Sequence, residues 1–262
     1  SGIGHLLKKN KVKVYEGFGS LHKDSSNIKK INIKTKNNFI NKTSNNIILA
    51  TGARSRNLPF VSSDGLNIWD YKTAMTPPKL PSSIIIVGSG AIGMEFASFY
   101  NDLGVDVTII ESLPSILPNE DNDISKIVKT NFEKRGIKIK NNATLKSVSN
   151  EINSVSAEIS INGKVEVIKS EKLILAVGIV ANTERLGLEN FNIKIDKGHV
   201  VTNEFSETDE KGIFAIGDIT DGPWLAHKAS HEGIICVEKI AGHKNLKPID
   251  KKSIPGCTYC RP

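Results

Sequence analysis

One stretch of the sequence, residues 83–111, constrains the fold of this chain more than any other. It opens with a short apolar run, Ile84–Val87, which is bounded by glycine and predicts a buried parallel strand. The motif Gly88-Ser89-Gly90-Ala91-Ile92-Gly93 follows directly. Its first glycine permits a tight turn, its second lets a pyrophosphate approach the backbone, and its third lets helix and strand pack closely.

A helix and a second strand complete this pattern. The apolar face of the predicted helix carries Ile92, Phe96, Phe99 and Leu103. Gly104 is typical of a helix end, and Val105–Ile110 predicts the next strand, which Glu111 follows. An ordinary strand–helix turn could contain the same glycines. The complete order of strand, glycines, helix, strand and acid favours a dinucleotide-binding unit.

Length and composition limit the class of protein. The chain has 262 residues, of which 39% are hydrophobic, enough for one large or two ordinary domains. Its net charge of +7 comes from dispersed lysines rather than a basic stripe with aromatic residues, so we expect no nucleic-acid partner. No apolar run approaches the roughly 20 residues that span a bilayer, and we expect no membrane partner. Three cysteines make no disulfide framework, which fits bacterial cytoplasm or the mitochondrial or another organelle matrix.

The remaining sequence predicts further helices and strands. Before the glycine motif, the predicted elements are a helix over Gly2–Asn10, strands at Val12–Tyr15, Ile28–Ile33, Phe39–Thr43 and Ile47–Ala50, and a helix over Tyr71–Met75. After it come a helix with Ile124, Ile127, Val128 and Phe132 on one face, strands at Ile137–Lys140, Leu145–Val148, Val155–Ile161, Val165–Ile168, Leu173–Val177 and Ile213–Ile216, and a helix over Ala226–Ile240. Asn162-Gly163 predicts a hairpin turn within an antiparallel meander.

Five motifs occur in a fixed order: ATGAR at Ala50–Arg54, GSGAIGMEFA at Gly88–Ala97, AVG at Ala176–Gly178, GIFAIGD at Gly212–Asp218 and LAHKASHEG at Leu225–Gly233. Their order and spacing resemble those of the flavoprotein pyridine nucleotide–disulfide oxidoreductases. Within that family, the sequences of residues 95–111 and 225–233 are most similar to those of the dihydrolipoyl dehydrogenases.

The resemblance implies an α/β chain with a domain inserted in another. A Rossmann-like NAD-binding domain with an antiparallel meander, residues 83–205, would interrupt a split and incomplete FAD-binding domain, residues 1–82 and 206–248. Residues 249–262 would begin a truncated interface domain.

The resemblance also implies two sets of cofactor residues. The NAD set is Gly88, Ser89, Gly90, Ala91, Ile92, Gly93, Glu95, Glu111, Val148 and Gly178. The FAD set is Gly19, Thr51, Gly52, Ala53, Asp218, Leu225, Ala226 and His227. Glu111 would bind the adenosine ribose, Asp218 the ribitol chain, and Glu95 would lie near the contact of flavin and nicotinamide. No metal site and no catalytic residue is predicted in this chain.

The implied activity passes electrons from dihydrolipoamide through a disulfide and FAD to NAD. The implied partners are the dihydrolipoamide carrier domain of a 2-oxoacid dehydrogenase complex and a second copy in a homodimer. The sequence contains neither the family's first FAD fingerprint, nor its cysteine pair, nor its dimerisation domain, so we expect a fragment that is inactive alone and holds FAD poorly. Alternatives are a related NAD(P)-dependent flavoprotein, such as a soluble transhydrogenase, and a non-catalytic nucleotide-binding fragment.

The Cys257-Thr258-Tyr259-Cys260 segment resembles a redox or zinc motif. A redox pair of this spacing belongs at a helix N-terminus, whereas this one lies between Pro255 and Pro262 in an extended segment. A structural zinc site would need further ligands. We therefore expect neither role, and we expect Cys236 to lie in a helix core.

Overall fold

A computed structural model describes residues 2–23 and 29–261. The first residue of the predicted strand Ile28–Ile33 and the last residue of the chain, Pro262, therefore lie outside the described residues. The chain divides into two compact units. The first unit comprises residues 1–53 and 181–254, and the second unit comprises residues 54–180 and 255–262.

Helices and strands alternate between residues 71 and 140, and runs of consecutive strands precede and follow this part of the chain. The α-helices are α1 Gly2–Lys9, α2 Tyr71–Met75, α3 Ala91–Asp102, α4 Asn122–Lys134 and α5 Ala226–Ile240. The strands up to the glycine motif are β1 Phe18–Lys23, β2 Lys29–Lys34, β3 Phe39–Thr43, β4 Ile47–Leu49, β5 Ala53–Ser55, β6 Ile68–Trp69 and β7 Ser83–Val87. Those beyond it are β8 Asp106–Ile110, β9 Lys138–Lys140, β10 Ala143–Asn150, β11 Val155–Ile161, β12 Lys164–Ser170, β13 Lys172–Leu175, β14 Ile179–Ala181, β15 Ile195–Asp196, β16 His199–Val200 and β17 Ile213–Ala215.

The second unit is built on a five-stranded parallel sheet in the order β6-β13-β7-β8-β9. Along β7, Ile84 and Ile86 pack into one hydrophobic core, and Ile85 and Val87 pack into another on the opposite face. Because both faces of the sheet are covered, the strand is continuously apolar instead of alternating. The predicted buried parallel strand is confirmed.

Helices cover one face of this sheet and a second sheet covers the other. The core on the helical side includes Met94 of α3 and Phe132 of α4. The core on the other side includes Leu145 of β10, which belongs to the antiparallel sheet β10-β11-β12. Asn162 and Gly163 have φ values of 49° and 82°, as a type I′ hairpin turn requires. The predicted meander is therefore confirmed.

The predicted apolar face of α3 is only partly the face that the core covers, since Phe96 packs against the core but the other three residues do not. Ile92, Phe99 and Leu103 are 41%, 46% and 48% exposed. The buried residues of the helix are Gly93, Met94, Ala97, Ser98 and Tyr100. The small residues Gly93 and Ala97 lie on that face beside the large side chains of Met94 and Tyr100, so a periodicity of large side chains alone does not identify it. In α4, Phe132 is buried as predicted, whereas Ile124 and Ile127 are exposed.

The first unit contains an antiparallel sheet, β1-β2-β3, and a parallel pair, β4 and β17. Leu21, Ile47, Leu49 and Ile213 share one hydrophobic core. The predicted strand over Val12–Tyr15 is wrong, since these residues have no regular secondary structure. Val12 and Val14 are half exposed. Helix α5 has the predicted bounds.

Among the described residues, no helix combines the length and the apolar character needed to cross a membrane.

Tyr100 offers a test of the packing between α3 and α2. Its side chain is fully buried, and its hydroxyl donates a 2.6 Å hydrogen bond to the backbone oxygen of Ala74. Burial raises the pKa of this phenol to about 12. We expect Tyr100→Phe to lower the free energy of unfolding by about 1–2 kcal/mol, because the buried carbonyl loses its donor. Urea unfolding followed by tryptophan fluorescence measures this difference.

Tyr259→Phe is the matched control, since Tyr259 is 80% exposed. It should change the unfolding free energy by less than about 0.5 kcal/mol. Equal effects of the two substitutions would contradict the importance of the Tyr100 hydrogen bond.

Candidate functional site

The glycine motif forms the turn between β7 and α3, and two of its glycines are required by the protein's own packing. Gly88 has a φ of 100°, and a Cβ there would overlap the backbone oxygen of Ala176. A Cβ on Gly93 would overlap the backbone oxygen of Gly88. The protein's own backbone therefore leaves no room for a side chain at these two positions.

Gly90 is different, because nothing in the described part of the chain requires it to be glycine. Its φ and ψ of −68° and −179° suit any residue, and among the described residues no heavy atom beyond its two chain neighbours lies within 4 Å of a Cβ built there. Gly90 is also the N-cap of α3, and no side chain caps that helix end. The first turn of a helix presents backbone N–H groups toward an anion. The open space at Gly90 is therefore suited to a ligand that approaches the backbone closely.

Glu111 lies at the end of β8 and is only 6% exposed. One carboxylate oxygen accepts hydrogen bonds from the backbone nitrogen and the hydroxyl of Ser89, at 2.9 and 2.6 Å. The other accepts from the backbone nitrogen of Leu113 at 2.8 Å and the hydroxyl of Ser112 at 3.3 Å. The buried acid thus ties the glycine turn to the neighbouring strand end. The sequence predicted its position but not the bonds to Ser89.

The remaining NAD-set residues of the second unit lie in different surroundings. Gly178 follows β13, has a φ of 97°, and accepts a 3.0 Å hydrogen bond from the backbone nitrogen of Arg56. Val148 lies in β10, where its half-buried side chain packs against the core on the meander side. Glu95 of α3 accepts a 2.8 Å hydrogen bond from the backbone nitrogen of Tyr259. The structure thus brings Gly88–Gly93 and Glu111 together at the carboxyl ends of β7 and β8.

Helix α3 also borders a shallow apolar groove of about 440 Å³. The groove is lined by Tyr71, Met75, Ile92, Glu95, Phe96, Phe99 and Tyr259. Glu95 is the one acid among these mostly apolar side chains.

In the first unit, two predicted FAD segments lie at the same edge of a parallel strand pair. Leu49 of β4 pairs with Ala215 of β17, and Thr51-Gly52 and Asp218 follow these strands. The carboxyl ends of parallel strands are where α/β proteins bind ligands. The Thr51 hydroxyl donates a 2.9 Å hydrogen bond to the backbone oxygen of Asn182. The sequence did not single out Asn182, because its link to Thr51 is non-local.

Asp218 lies in a short 3₁₀ turn, Gly217–Ile219, and is half-buried. Leu225 is the N-cap of α5 without a side-chain cap, and Ala226 and His227 form its first turn. Gly19 lies in β1 and is exposed, and Ala53 begins β5. Within the described part of the chain, no group of three or more His, Cys, Asp and Glu side chains is placed to hold a metal ion.

The comparisons with known proteins agree with the predicted family. The family model described as pyridine nucleotide-disulphide oxidoreductase matches residues 1–233. The chain therefore belongs to the pyridine nucleotide-disulphide oxidoreductase family.

Its relatives include dihydrolipoyl dehydrogenases of several bacteria. The protein of Rhizobium etli is 44% identical over 277 residues, and that of Zymomonas mobilis is 44% identical over 263. Both alignments cover 100% of this chain but only 57% and 56% of those proteins. The chain thus spans about half the length of the curated relatives it matches.

Solved structures show the same fold. LpdA from Mycobacterium tuberculosis is similar with a TM-score of 0.91 and 29% identity, over 100% of this chain and 57% of that one. The HOCl-induced flavoprotein disulfide reductase RclA from Escherichia coli, solved as a Cu(II) complex, is similar with a TM-score of 0.81 and 25% identity, over 93% of this chain and 56% of that one.

The cysteines differ in a way that labelling can test. All three are free thiols. Cys236 is fully buried, and burial raises its pKa to about 11. Burial, with a smaller contribution from Glu95, also raises the pKa of Cys260, whereas Cys257 is exposed. A raised thiol pKa leaves little thiolate at neutral pH, and the thiolate is the nucleophile.

We therefore expect iodoacetamide at pH 7.5 to modify Cys257 first, Cys260 more slowly and Cys236 last. Labelling of Cys236 should accelerate as the pH rises toward about 11. Peptide mass spectrometry of timed samples measures the order. Modification of Cys260 ahead of Cys257 would identify an activated thiol and contradict the expectation that this segment has no redox role.

Proposed function

We propose that residues 88–93 of this chain bind the pyrophosphate of NAD. The observation that carries the proposal is the glycine at position 90, since neither its backbone conformation nor its neighbours require one. A pyrophosphate that lies against the backbone would require it. The uncapped first turn of α3 would supply N–H donors to the anion. Glu111 at the next strand end would accept hydrogen bonds from the adenosine ribose.

We further propose that the first unit contributes part of an FAD site. Thr51-Gly52 and Asp218 follow neighbouring parallel strands, which supports a nucleotide along that edge. Asp218 would accept hydrogen bonds from the ribitol chain, and residues 225–227 would lie by the polar edge of the flavin. In this proposal the NAD domain comprises residues 83–205, and the FAD domain comprises residues 1–82 and 206–248. Residues 249–262 open the interface domain.

The activity we propose for the natural protein that carries this sequence is that of a dihydrolipoyl dehydrogenase. Its substrate would be a dihydrolipoamide carrier domain of a 2-oxoacid dehydrogenase complex, and it would act as a homodimer. The 44% identity to two proteins of that name favours this activity over a soluble transhydrogenase. When bound, the flavin and nicotinamide would supply the hydride chemistry, and this chain's residues would bind and orient them.

A pair of glycine substitutions tests the proposed NAD site on the 262-residue chain. Gly90→Ala should leave the unfolding free energy within about 1 kcal/mol of the parent, because its Cβ meets nothing. It should weaken NAD binding by roughly tenfold or more, because the Cβ occupies the space of the pyrophosphate. Gly93→Ala should instead lower the unfolding free energy by about 3 kcal/mol, because its Cβ overlaps backbone. Calorimetric titration and urea unfolding provide the two measurements.

Gly256→Ala is the control, since its Cβ also meets nothing but lies far along the chain from the motif. It should change neither the unfolding free energy nor the affinity for NAD. An unchanged NAD affinity in folded Gly90→Ala would exclude the proposed pyrophosphate site.

The buried carboxylate of Glu111 predicts a preference for NAD over NADP. A carboxylate accepts bonds from the ribose hydroxyls and repels a 2′-phosphate. Glu111→Gln should weaken NAD binding by roughly tenfold, because charge-assisted hydrogen bonds are lost. It should therefore bring the affinity for NAD closer to the affinity for NADP. Glu120→Gln, at an exposed acid nearby, should alter neither affinity. Tighter binding of NADP than of NAD by the unsubstituted chain would refute the assignment.

A further inference from the structure

Helix α5 contains a buried ion pair that the proposed cofactor contacts do not use. The Nζ atom of Lys228 lies 3.0 Å from a carboxylate oxygen of Glu232, one helical turn later. Their side chains are 0% and 10% exposed. A lysine so fully removed from water needs a partner for each of its donors.

Among the described residues, the other side-chain hydrogen bonds of this pair go to one short segment, residues 217–221. Lys228 donates to the hydroxyl of Thr220 and to the backbone oxygen of Asp221, each at 2.9 Å. The second carboxylate oxygen of Glu232 accepts a 2.7 Å hydrogen bond from the backbone nitrogen of Gly217. The Thr220 hydroxyl donates in turn to the backbone oxygen of Gly217 at 2.8 Å. The pair therefore holds both ends of the segment.

Asp218 lies between these two anchored ends. The segment that carries Asp218 contains Gly217, which has a φ of 75°. Glycine adopts this conformation readily but has no side chain whose packing could hold it there. The bonds from α5 supply the partners of the Gly217 backbone nitrogen and the Asp221 backbone oxygen, while Trp224 and Lys251 bond to Thr220 and to the Asp221 carboxylate. Two side chains of α5, outside the turn itself, therefore help to set the position of Asp218.

Stability alone does not explain a charged pair in this place. Removing two charges from water costs free energy that the pair's attraction often fails to recover, and apolar side chains of similar volume frequently serve a core as well. What apolar side chains cannot supply is a set of directed hydrogen bonds to the amide of Gly217 and the carbonyl of Asp221. The advantage of the ion pair lies in the geometry it imposes on the turn.

We propose that Lys228 and Glu232 are positioning residues that fix the 217–221 turn and thereby orient Asp218 toward the ribitol chain of FAD. This inference rests on the proposed flavin site. It assigns the two residues a role in cofactor affinity through the turn, without contact to the cofactor.

The decisive variant is the double substitution Lys228→Met with Glu232→Met. It removes both charges together, so no unpaired buried charge remains and the chain should still fold. Hydrogen exchange of the 262-residue chain, followed by mass spectrometry, should show faster exchange in residues 217–221. FAD affinity is then measured on the apo form of the natural protein that carries this sequence, and it should fall by roughly tenfold, the scale of one misplaced charge-assisted hydrogen bond.

A double-mutant cycle with Asp218 separates positioning from a general loss of structure. In the parent, Asp218→Asn should weaken FAD binding by roughly tenfold. In the Lys228→Met/Glu232→Met background, the same substitution should cost much less, because Asp218 is already misplaced. Full additivity of the two effects would overturn the inference. If Asp218→Asn leaves FAD affinity unchanged in the parent, the flavin assignment of Asp218 itself is wrong and the inference falls with it.

Lys129→Met with Glu133→Met is the matched control, because these residues form an i, i+4 ion pair on α4 that is partly exposed. It should change neither exchange in the turn nor FAD affinity. Thr220→Val is a milder second variant, which removes only the hydroxyl between Lys228 and Gly217. It should give a smaller loss in the same direction. Unchanged exchange of residues 217–221 in both folded variants would overturn the proposal independently of the flavin.

Discussion

The close approach of helix α3 to the turn that precedes it is the constraint on which the second unit depends. A Cβ on Gly93 would overlap the backbone oxygen of Gly88, and a Cβ on Gly88 would overlap that of Ala176. These contacts seat the helix directly on the ends of β7 and β13. Because the backbones are so close, the first turn of the helix and the strand ends share one edge of the sheet. The site is thus a consequence of the packing.

The two cores extend this constraint through the rest of the unit. Successive residues of β7 enter opposite cores, so the position of the strand is fixed from both faces of the sheet. The buried carboxylate of Glu111 then joins β8 to the turn through Ser89. A rigid sheet and a bonded turn leave Gly90 as the position with open space beside its backbone. A preorganised site of this kind binds a ligand without first having to order itself.

The sequence predicts those features whose signals are local. The apolar run of β7, the Asn162-Gly163 turn and the bounds of α5 depend on neighbouring residues and were predicted correctly. Strand β1 was missed because its residues are mostly polar or glycine, although it pairs with the next strand, β2, and Leu21 also donates to Leu186. The predicted face of α3 was correct only at Phe96, because periodicity identifies an apolar stripe but not what packs beside it. The same limit applies to the site, where the glycines were predicted but the Ser89–Glu111 and Thr51–Asn182 bonds were not.

The two units fix the turn that follows a parallel strand in different ways. In the second unit the helix follows the turn at once, so glycines suffice and the helix itself holds the loop. In the first unit α5 begins only at Ala226, so residues 216–225 separate it from β17, and Ile219 in this stretch packs into the core. There the buried pair of Lys228 and Glu232 bonds back to the turn that carries Asp218. Where backbone contact cannot define a turn, directed hydrogen bonds from a buried ion pair can, and their desolvation cost is justified by the geometry they impose.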